Sequence, residues 1–310
     1  MKDIYFDVDW TKNKKFVNKI KRQTPSGNPT WGNIQAVDDI EMADYHVIFN
    51  YPTIKLGDTQ SLIFSMEPPN NPQISDWKKL DVDQSFPISE FYFPQYWKIN
   101  KSYTELKNIS PPEKTKDLSW ITSNKGQRVN KLYRVLRWFI WKLGYKNHET
   151  KQILRGPLDG HLLRMRFLDW LAKTGIDFDL YGRGNFNLDQ YRGEIKDKWS
   201  GLSQYRYTLA IENYKGKNYF SEKISDALLA WTMPIYWGCT NLSDFLPEDS
   251  YIRIDIEDPS APKKISDIVQ SNIREKNIDA IAEARERILD RYQVWPTVQN
   301  AIENHKIQTK

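Results

Sequence analysis

The sequence predicts an α/β protein built on parallel sheets. Two sequence patterns and the chain length carry that prediction. The first pattern is residues 205–241, which read as a strand, a polar loop, a helix and a second strand. Tyr205, Tyr207, Leu209 and Ile211 alternate with Arg206, Thr208 and Ala210, the period-two signature of a strand with one buried face. A polar loop from Asn213 to Tyr219 follows, with Gly216 as its flexible point. Ser221 then stands as an N-cap and Glu222 in the first helical turn, where the helix dipole favours a negative charge. Ile224, Ala227, Leu228 and Trp231 keep the spacing of a helix with one buried stripe. Pro234 is expected to end that helix, Ile235–Trp237 to form a short buried strand, and Gly238 to punctuate it. Units of this kind assemble parallel sheets. The second pattern is a series of short apolar runs ending on turn residues in the first third of the chain. At 310 residues the chain exceeds the usual size of one domain, which predicts two.

Taken in order, Ile4–Val8, Ala43–Asn50 and Ser61–Met66 are the candidate strands of a first α/β unit. Phe91–Trp97 is dense in aromatic residues and reads either as packing at a domain junction or as a stacking surface for a sugar. Asn108–Lys116 has the prolines and charges of a linker, so the expected division is 1–117, 118–292 and a tail, 293–310, that packs back on the first domain or frays. The second domain opens with a strand at Leu118–Thr122. The helix expected over Lys125–Leu143 carries a cationic face, which reads as solvated or as a contact with an anionic surface. A helix from His161 is closed by Gly175, and a strand over Ile176–Gly182 leads into Arg183-Gly184-Asn185. Tyr251–Asp255 is the last expected strand, and Asn277–Tyr292 a helix with Ile278, Ile281, Ile288 and Leu289 on its buried side.

Hydrophobic residues at 39% and aromatic residues at 14% suffice for two cores. The net charge of +5 suits an anionic ligand without requiring one. The basic charge and the many Trp and Tyr residues raise a nucleic-acid binder as a remote alternative, but acids and bases are interspersed, 40 against 45, so no nucleic-acid partner is expected. The single cysteine, Cys239, excludes an internal disulfide and fits a reducing compartment, so a cytoplasmic location is expected. No apolar run reaches the ~18 residues of a membrane span, and MKDIYFDVDW reads as a strand rather than a signal peptide. Asp7-Val8-Asp9 and Asp81-Val82-Asp83 match a short Asp-x-Asp metal motif, but both are read as surface pairs. With four histidines and one cysteine no metal-ligand cluster is visible, and no metal is assigned.

Ligands of open α/β sheets bind outside the carboxyl ends of the strands. Glu212 and Asn213 are placed at such an end, while Tyr219, Glu222 and Lys223 bracket a helix start, where free backbone N–H groups attract anions. A carboxylate, a phenol and a lysine there suit a sugar joined to a diphosphate. Lys223 would balance phosphate charge, and Glu212 and Glu222 would accept hydrogen bonds from hydroxyls. Glu222 and Lys223 read equally well as first-turn surface charges. Glu67 follows the strand over 61–66 and is held by Pro68 and Pro69; it reads as a functional carboxylate or as the start of a surface turn. Arg164 and Arg166, two apart on one helix, cannot share a face.

The run AIENYKGKNYFSEKISDALLAWTMPIYWG resembles the signature of the family 10 glycosyltransferases, the α1,3/α1,4-fucosyltransferases. The matching residues are Glu212, Asn213, Tyr219, Ser221, Glu222, Lys223, Pro234 and Gly238, with Ile211 where the family carries phenylalanine. Ser123-Asn124 and the segment from Asp179 to Arg183 resemble two further family segments. The resemblance implies a GT-B type α/β fold, with two Rossmann-like domains facing each other across a cleft. It implies a nucleotide-sugar donor, GDP-fucose, held in the second domain, and an oligosaccharide or glycoconjugate acceptor bound by the first. In that reading Arg164 and Lys223 grip the donor diphosphate, and Glu212, Asn213, Tyr219 and Glu222 orient the donor. Glu67 is the general base of an inverting transfer. The resemblance requires no cofactor, although Mg2+ or Mn2+ would stimulate, and it implies a member without a membrane anchor and with at most peripheral membrane contact. A related inverting transferase using another nucleotide sugar is the alternative, because phosphate-binding residues say less about the hexose than about the diphosphate.

Overall fold

The computed structural model describes residues 1–68, 80, 82–86, 91–124, 158–184 and 186–308. The helix expected over Lys125–Leu143, together with Pro69, Asn70, Asp81, Asn185 and the side chain of His161, lies outside the described residues.

The first third of the chain folds as β1 (Lys2–Val8), α1 (Asn13–Ile20), β2 (Thr30–Trp31), β3 (Ile34–Ala36), β4 (Tyr45–Phe49), β5 (Gln60–Phe64) and β6 (Gln84–Phe86). These strands form one sheet in the order β2-β3-β1-β4-β5-β6, parallel except for the β2–β3 pair. All five residues of β4 are buried, as both faces of a covered parallel sheet require. The chain leaves β1 toward β3 on one side and returns to β4 on the other, so the switch point of this sheet lies between β1 and β4.

After α2 (Tyr103–Asn108) comes β7 (Lys116–Ile121), then α3 (Leu158–Ala172), β8 (Asp179–Tyr181), β9 (Tyr205–Gly216), α4 (Glu222–Leu229), β10 (Met233–Cys239) and β11 (Ile252–Arg253). Their sheet is wholly parallel, in the order β11-β10-β9-β7-β8, and its switch point lies between β7 and β9. Two parallel sheets, each with this reversal of strand order, give the doubly wound, two-unit architecture expected of the GT-B type.

Helices α5 (Ala261–Val269), α6 (Ile273–Lys276) and α7 (Ile278–Arg287) cover the second sheet, and a π-helical turn over Ile288–Tyr292 leads into α8 (Val294–Gln308). The last helix returns to the first unit. Val294, Trp295, Val298, Ala301 and Ile302 join the core of β1, β4 and β5, and Trp295 Nε1 donates to Ile20 O at 2.9 Å. Conversely Trp97, Ile99 and Leu106 belong to the core of the second sheet. The two units are therefore crossed twice. The crossings are joined where Gln95 N donates to Tyr292 O at 2.7 Å and Gln293 Nε2 donates to Gln23 O at 3.0 Å. The segment Phe91–Trp97 is junction packing, with Gln95 and Trp97 fully buried.

Three local expectations need correction. Strand β9 runs on to Gly216, through residues read as loop, because Gly216 still pairs with Cys239 after the ladder breaks beyond Ile211 and Trp237. Helix α4 stops at Leu229 rather than at Pro234, which lies inside β10. The stop is a Schellman motif: Thr232 N donates to Ala227 O at 3.0 Å and Trp231 N to Leu228 O at 2.8 Å. Trp231 takes the left-handed position usually given to glycine, at φ 59°. Arg285 spans the same carbonyl end, donating to Leu229 O and Leu106 O, while its guanidinium lies 4.2 Å from the Trp231 ring centroid. Finally, Asp7 is not part of a surface pair. It is 3% exposed and accepts from Thr53 N at 2.8 Å, with His46 Nε2 at 3.2 Å.

Candidate active site

The carboxyl ends of the two sheets meet around one aromatic pair. Phe93, in the junction segment, and Tyr219, ahead of α4, stack edge to face with centroids 5.9 Å apart. Met66, just past β5, and Tyr214, late in β9, pack against that pair. Glu67 is thereby carried into the electrostatic neighbourhood of Tyr219. Glu67 itself lies on the exposed side of its strand end.

On the β9 side the backbone bulges between Ile211 and Gly216. The bulge turns Glu212 inward, where it is fully buried. Its two oxygens take Ser221 N at 2.8 Å, Ser221 Oγ at 2.6 Å and Lys223 Nζ at 2.9 Å. The loop between them is pinned by Asn218 and Asn241, which exchange bonds of 2.8 and 2.9 Å. Glu212 therefore does not present itself to a ligand's hydroxyls as expected. It closes the amino end of α4 onto β9, and it orients Lys223. Gly238 is required by the same contact, because a Cβ there would overlap Glu212 Cβ and Cγ and the Tyr236 hydroxyl.

Lys223 is 17% exposed along its side chain and also donates to Ser221 Oγ at 2.9 Å. An ammonium has three donors, and these bonds use two of them among the described residues. Glu222, beside it, stands between two ammonium groups, 3.9 Å from Lys223 Nζ and 3.8 Å from Lys198 Nζ. Burial pushes the Glu222 carboxyl up, but Lys223, Lys198 and Lys98 outweigh it and hold the group at about 2. Glu222 is thus a fixed carboxylate at neutral pH, suited to accept from hydroxyl groups.

Arg164 reaches the cluster from α3. Its side chain is 3% exposed; burial pushes its pKa down, and Glu212, Tyr219 and Glu222 oppose that. Gly160 allows the approach, since a Cβ there would overlap the Asn213 backbone. Arg166 points elsewhere: it is exposed, with its guanidinium 4.7 Å from the Trp170 ring. Tyr219 is 4% exposed, and burial together with Glu212, Glu222 and Glu67 raises its hydroxyl well above the ordinary range, so the phenol stays neutral. Asn213 Oδ1 is buried without a hydrogen-bond partner among the described residues. Arg164, Glu212, Asn213, Tyr219, Glu222 and Lys223 are all brought to one place, the carboxyl end of β9 and the start of α4.

Two residues of this place have no signature of their own in the sequence. Asp226 is 1% exposed and accepts from Lys198 Nζ at 2.8 Å and from Lys98 N at 2.7 Å. It thereby ties α4 to the junction segment, and it anchors the lysine that faces Glu222. Glu222 and Asp226 are i and i+4 on one helix, a repulsive pair that calls for a cation between them. That spacing was the available signal for Lys198. Among the described residues no group of three or more His, Cys, Asp or Glu is arranged to hold a metal ion, and no helix is long and apolar enough to cross a membrane.

Comparison with known proteins bears on the same stretch. The family model described as "Glycosyltransferase family 10 (fucosyltransferase) C-term" matches residues 146–277. The chain is 43% identical over 61 residues to an alpha-(1,3)-fucosyltransferase of Helicobacter pylori, a match covering 19% of this chain and 13% of that protein. It is 36% identical over 92 residues to a fucosyltransferase-like protein of Arabidopsis thaliana, covering 29% and 17%. It is 34% identical over 110 residues to a human 4-galactosyl-N-acetylglucosaminide 3-alpha-L-fucosyltransferase, covering 34% and 28%. The chain thus matches less than a third of the length of each of these relatives. A solved alpha1,3-fucosyltransferase structure aligns over 95% of this chain and 91% of its own, at 16% identity and a TM-score of 0.49.

Proposed function

We propose that this chain, whose residues 146–277 match the model of the C-terminal region of glycosyltransferase family 10, is an inverting glycosyltransferase that moves L-fucose from GDP-fucose to a hydroxyl of an acceptor glycan. The observation that carries the reading is the convergence of Arg164, Tyr219, Glu222 and Lys223 on the start of α4, an anion-binding geometry completed by the helix dipole.

In this reading the unit of β7–β11 holds the donor and the unit of β1–β6 the acceptor. Arg164 and Lys223 neutralise the diphosphate as it leaves, with the backbone N–H groups after Ser221 assisting. Tyr219 donates a hydrogen bond, and Glu222 accepts from ribose or fucose hydroxyls. Asn213 offers its amide to the same donor, and Glu212 keeps Lys223 aimed at it. Glu67 takes the acceptor hydroxyl's proton while that oxygen attacks the anomeric carbon. The new C–O bond forms on the face opposite to the breaking bond to phosphate, and GDP departs. Mg2+ or Mn2+ enters only as a stimulant. The linkage is of the α1,3 type, after the activity in the Helicobacter pylori relative's name. The lone buried Cys239 suits the expected cytoplasmic location, and any membrane contact is peripheral.

Calorimetry with GDP-fucose, GDP-mannose and a UDP-sugar, on the wild type and Lys223→Ala, tests the assignment. Binding of the guanine nucleotide that is lost in the variant supports it. Preference for a uridine nucleotide keeps the mechanism and discards fucose, and absence of any nucleotide binding overturns the enzyme reading.

A further inference from the structure

The first sheet has its own switch point, between β1 and β4, and the residues just beyond those two strands are Asp9-Trp10 and Asn50. Crevices at such points are where open sheets bind ligands. Three features there stand out. Trp10 is 46% exposed, one of three exposed large hydrophobic side chains among the described residues. It is also rigidly backed, lying 6.4 Å from Phe49 in a stacked arrangement and 5.9 Å from Phe16 edge to face. Asn50 is 5% exposed and held at φ 68°, a left-handed conformation that a structure retains only where the surroundings impose it.

Asn50 shows what imposes it. Its Nδ2 donates to Asp9 Oδ1 at 3.2 Å, and its Oδ1 accepts from Met66 N at 2.7 Å. One amide side chain thus stitches the end of β1 to the residue before Glu67. Asp9, an exposed residue whose carboxylate is partly desolvated where Asn50 bonds it, is followed by the exposed ring of Trp10, and the same Asn50 amide holds the residue before Glu67. A flat aromatic face beside a carboxylate is the chemistry that recognises a pyranose, whose C–H face packs on the ring while its hydroxyls donate to the carboxylate.

We propose that Trp10 and Asp9 form a binding subsite for a pyranose ring of the acceptor, registered by Asn50 against Glu67. The proposal rests on the glycosyltransferase reading and assigns its acceptor side. The bound sugar stacks on Trp10, one of its hydroxyls donates to Asp9, and the ring is held within reach of the Glu67 segment. Because Trp10 is already immobilised by Phe16 and Phe49, little side-chain entropy is lost on stacking.

The test uses the full chain with N-acetyllactosamine, methyl β-galactoside and methyl N-acetyl-β-glucosaminide as probes. Their binding in the presence of GDP is read by saturation-transfer NMR, and GDP-fucose affinity by calorimetry. Trp10→Ala is expected to weaken the best-bound probe roughly tenfold, with Trp10→Phe retaining most of the binding and the GDP-fucose affinity staying within about twofold. Asp9→Asn, which preserves size and can still bond Asn50, is expected to weaken the same probe several-fold, and it guards against a folding defect in Trp10→Ala. Unchanged probe binding in Trp10→Ala and Asp9→Asn, with GDP-fucose still bound, overturns this subsite alone. So does a wild type that binds GDP-fucose and none of the three probes. A wild type that binds no nucleotide overturns the transferase reading and this subsite with it.

Discussion

Lys223 Nζ stands 2.9 Å from Glu212 Oε2, and the two residues belong to different elements, the first turn of α4 and the bulged end of β9. The pair does two things at once. It fastens the helix start to the sheet, and it fixes a partly exposed ammonium beside Glu222. Glu212 has no exposed surface, and Ser221 and Lys223 supply the donors to its oxygens.

Replacing Glu212 by alanine strips Lys223 and the Ser221 N–H and hydroxyl of their acceptor. Breaking a buried pair from one side costs roughly 3–5 kcal/mol, and the partly exposed lysine end places the expected loss toward the lower figure. Urea denaturation of Glu212→Ala against Glu212→Gln, which retains an acceptor oxygen, checks this; equal stability of alanine variant and wild type would contradict the pairing.

Gly238→Ala tests the same contact from β10. The new methyl meets Glu212 and the Tyr236 hydroxyl, both fully buried. The expected cost is about 1–3 kcal/mol, typical of overpacking a dense interior. Thermal unfolding measures it, and a neutral outcome would mean that β10 yields there.

The Glu222 carboxyl is held at about 2, below the 4.5 of an ordinary glutamate. Its contribution to stability is therefore complete above pH 4.5 and is lost as pH falls toward 2. Asp226, pushed up by burial, works in the opposite sense, so the net acid limb is shallower than Glu222 alone would give. In Lys198→Gln, which can still donate to Asp226, one of the cations facing Glu222 is gone. The acid limb of nucleotide binding is expected to move upward in pH, and Lys198→Arg to restore it. Titration of the Glu222 carboxyl by carbon-13 NMR in both variants decides the point; an unmoved titration in the glutamine variant refutes the role given to Lys198.

Arg164→Lys keeps the charge and loses the planar fork that binds phosphate in two places. A roughly tenfold or greater loss of GDP affinity is expected, against little change for the exposed Arg166→Lys. Calorimetry on the two variants separates them, and equal losses would refute the assignment of Arg164 over Arg166.

The sequence by itself determined what local chemistry determines. Alternation along Tyr205–Ile211 marked the strand and Ser221 marked the helix start, because each signal lies within a few residues of what it specifies. The length of β9 and the end of α4 were hidden, since one depends on pairing with Cys239 and the other on Trp231 accepting a left-handed backbone that Arg285 covers. Tertiary structure alone decided which charges meet. It turned Glu212 inward, chose Arg164 over Arg166, buried Asp7 against His46, and set Lys198 between Glu222 and Asp226. The physical reason is the same throughout. A buried charge is tolerated only beside partners, and those partners come from segments far apart in the chain, where no local pattern records the match.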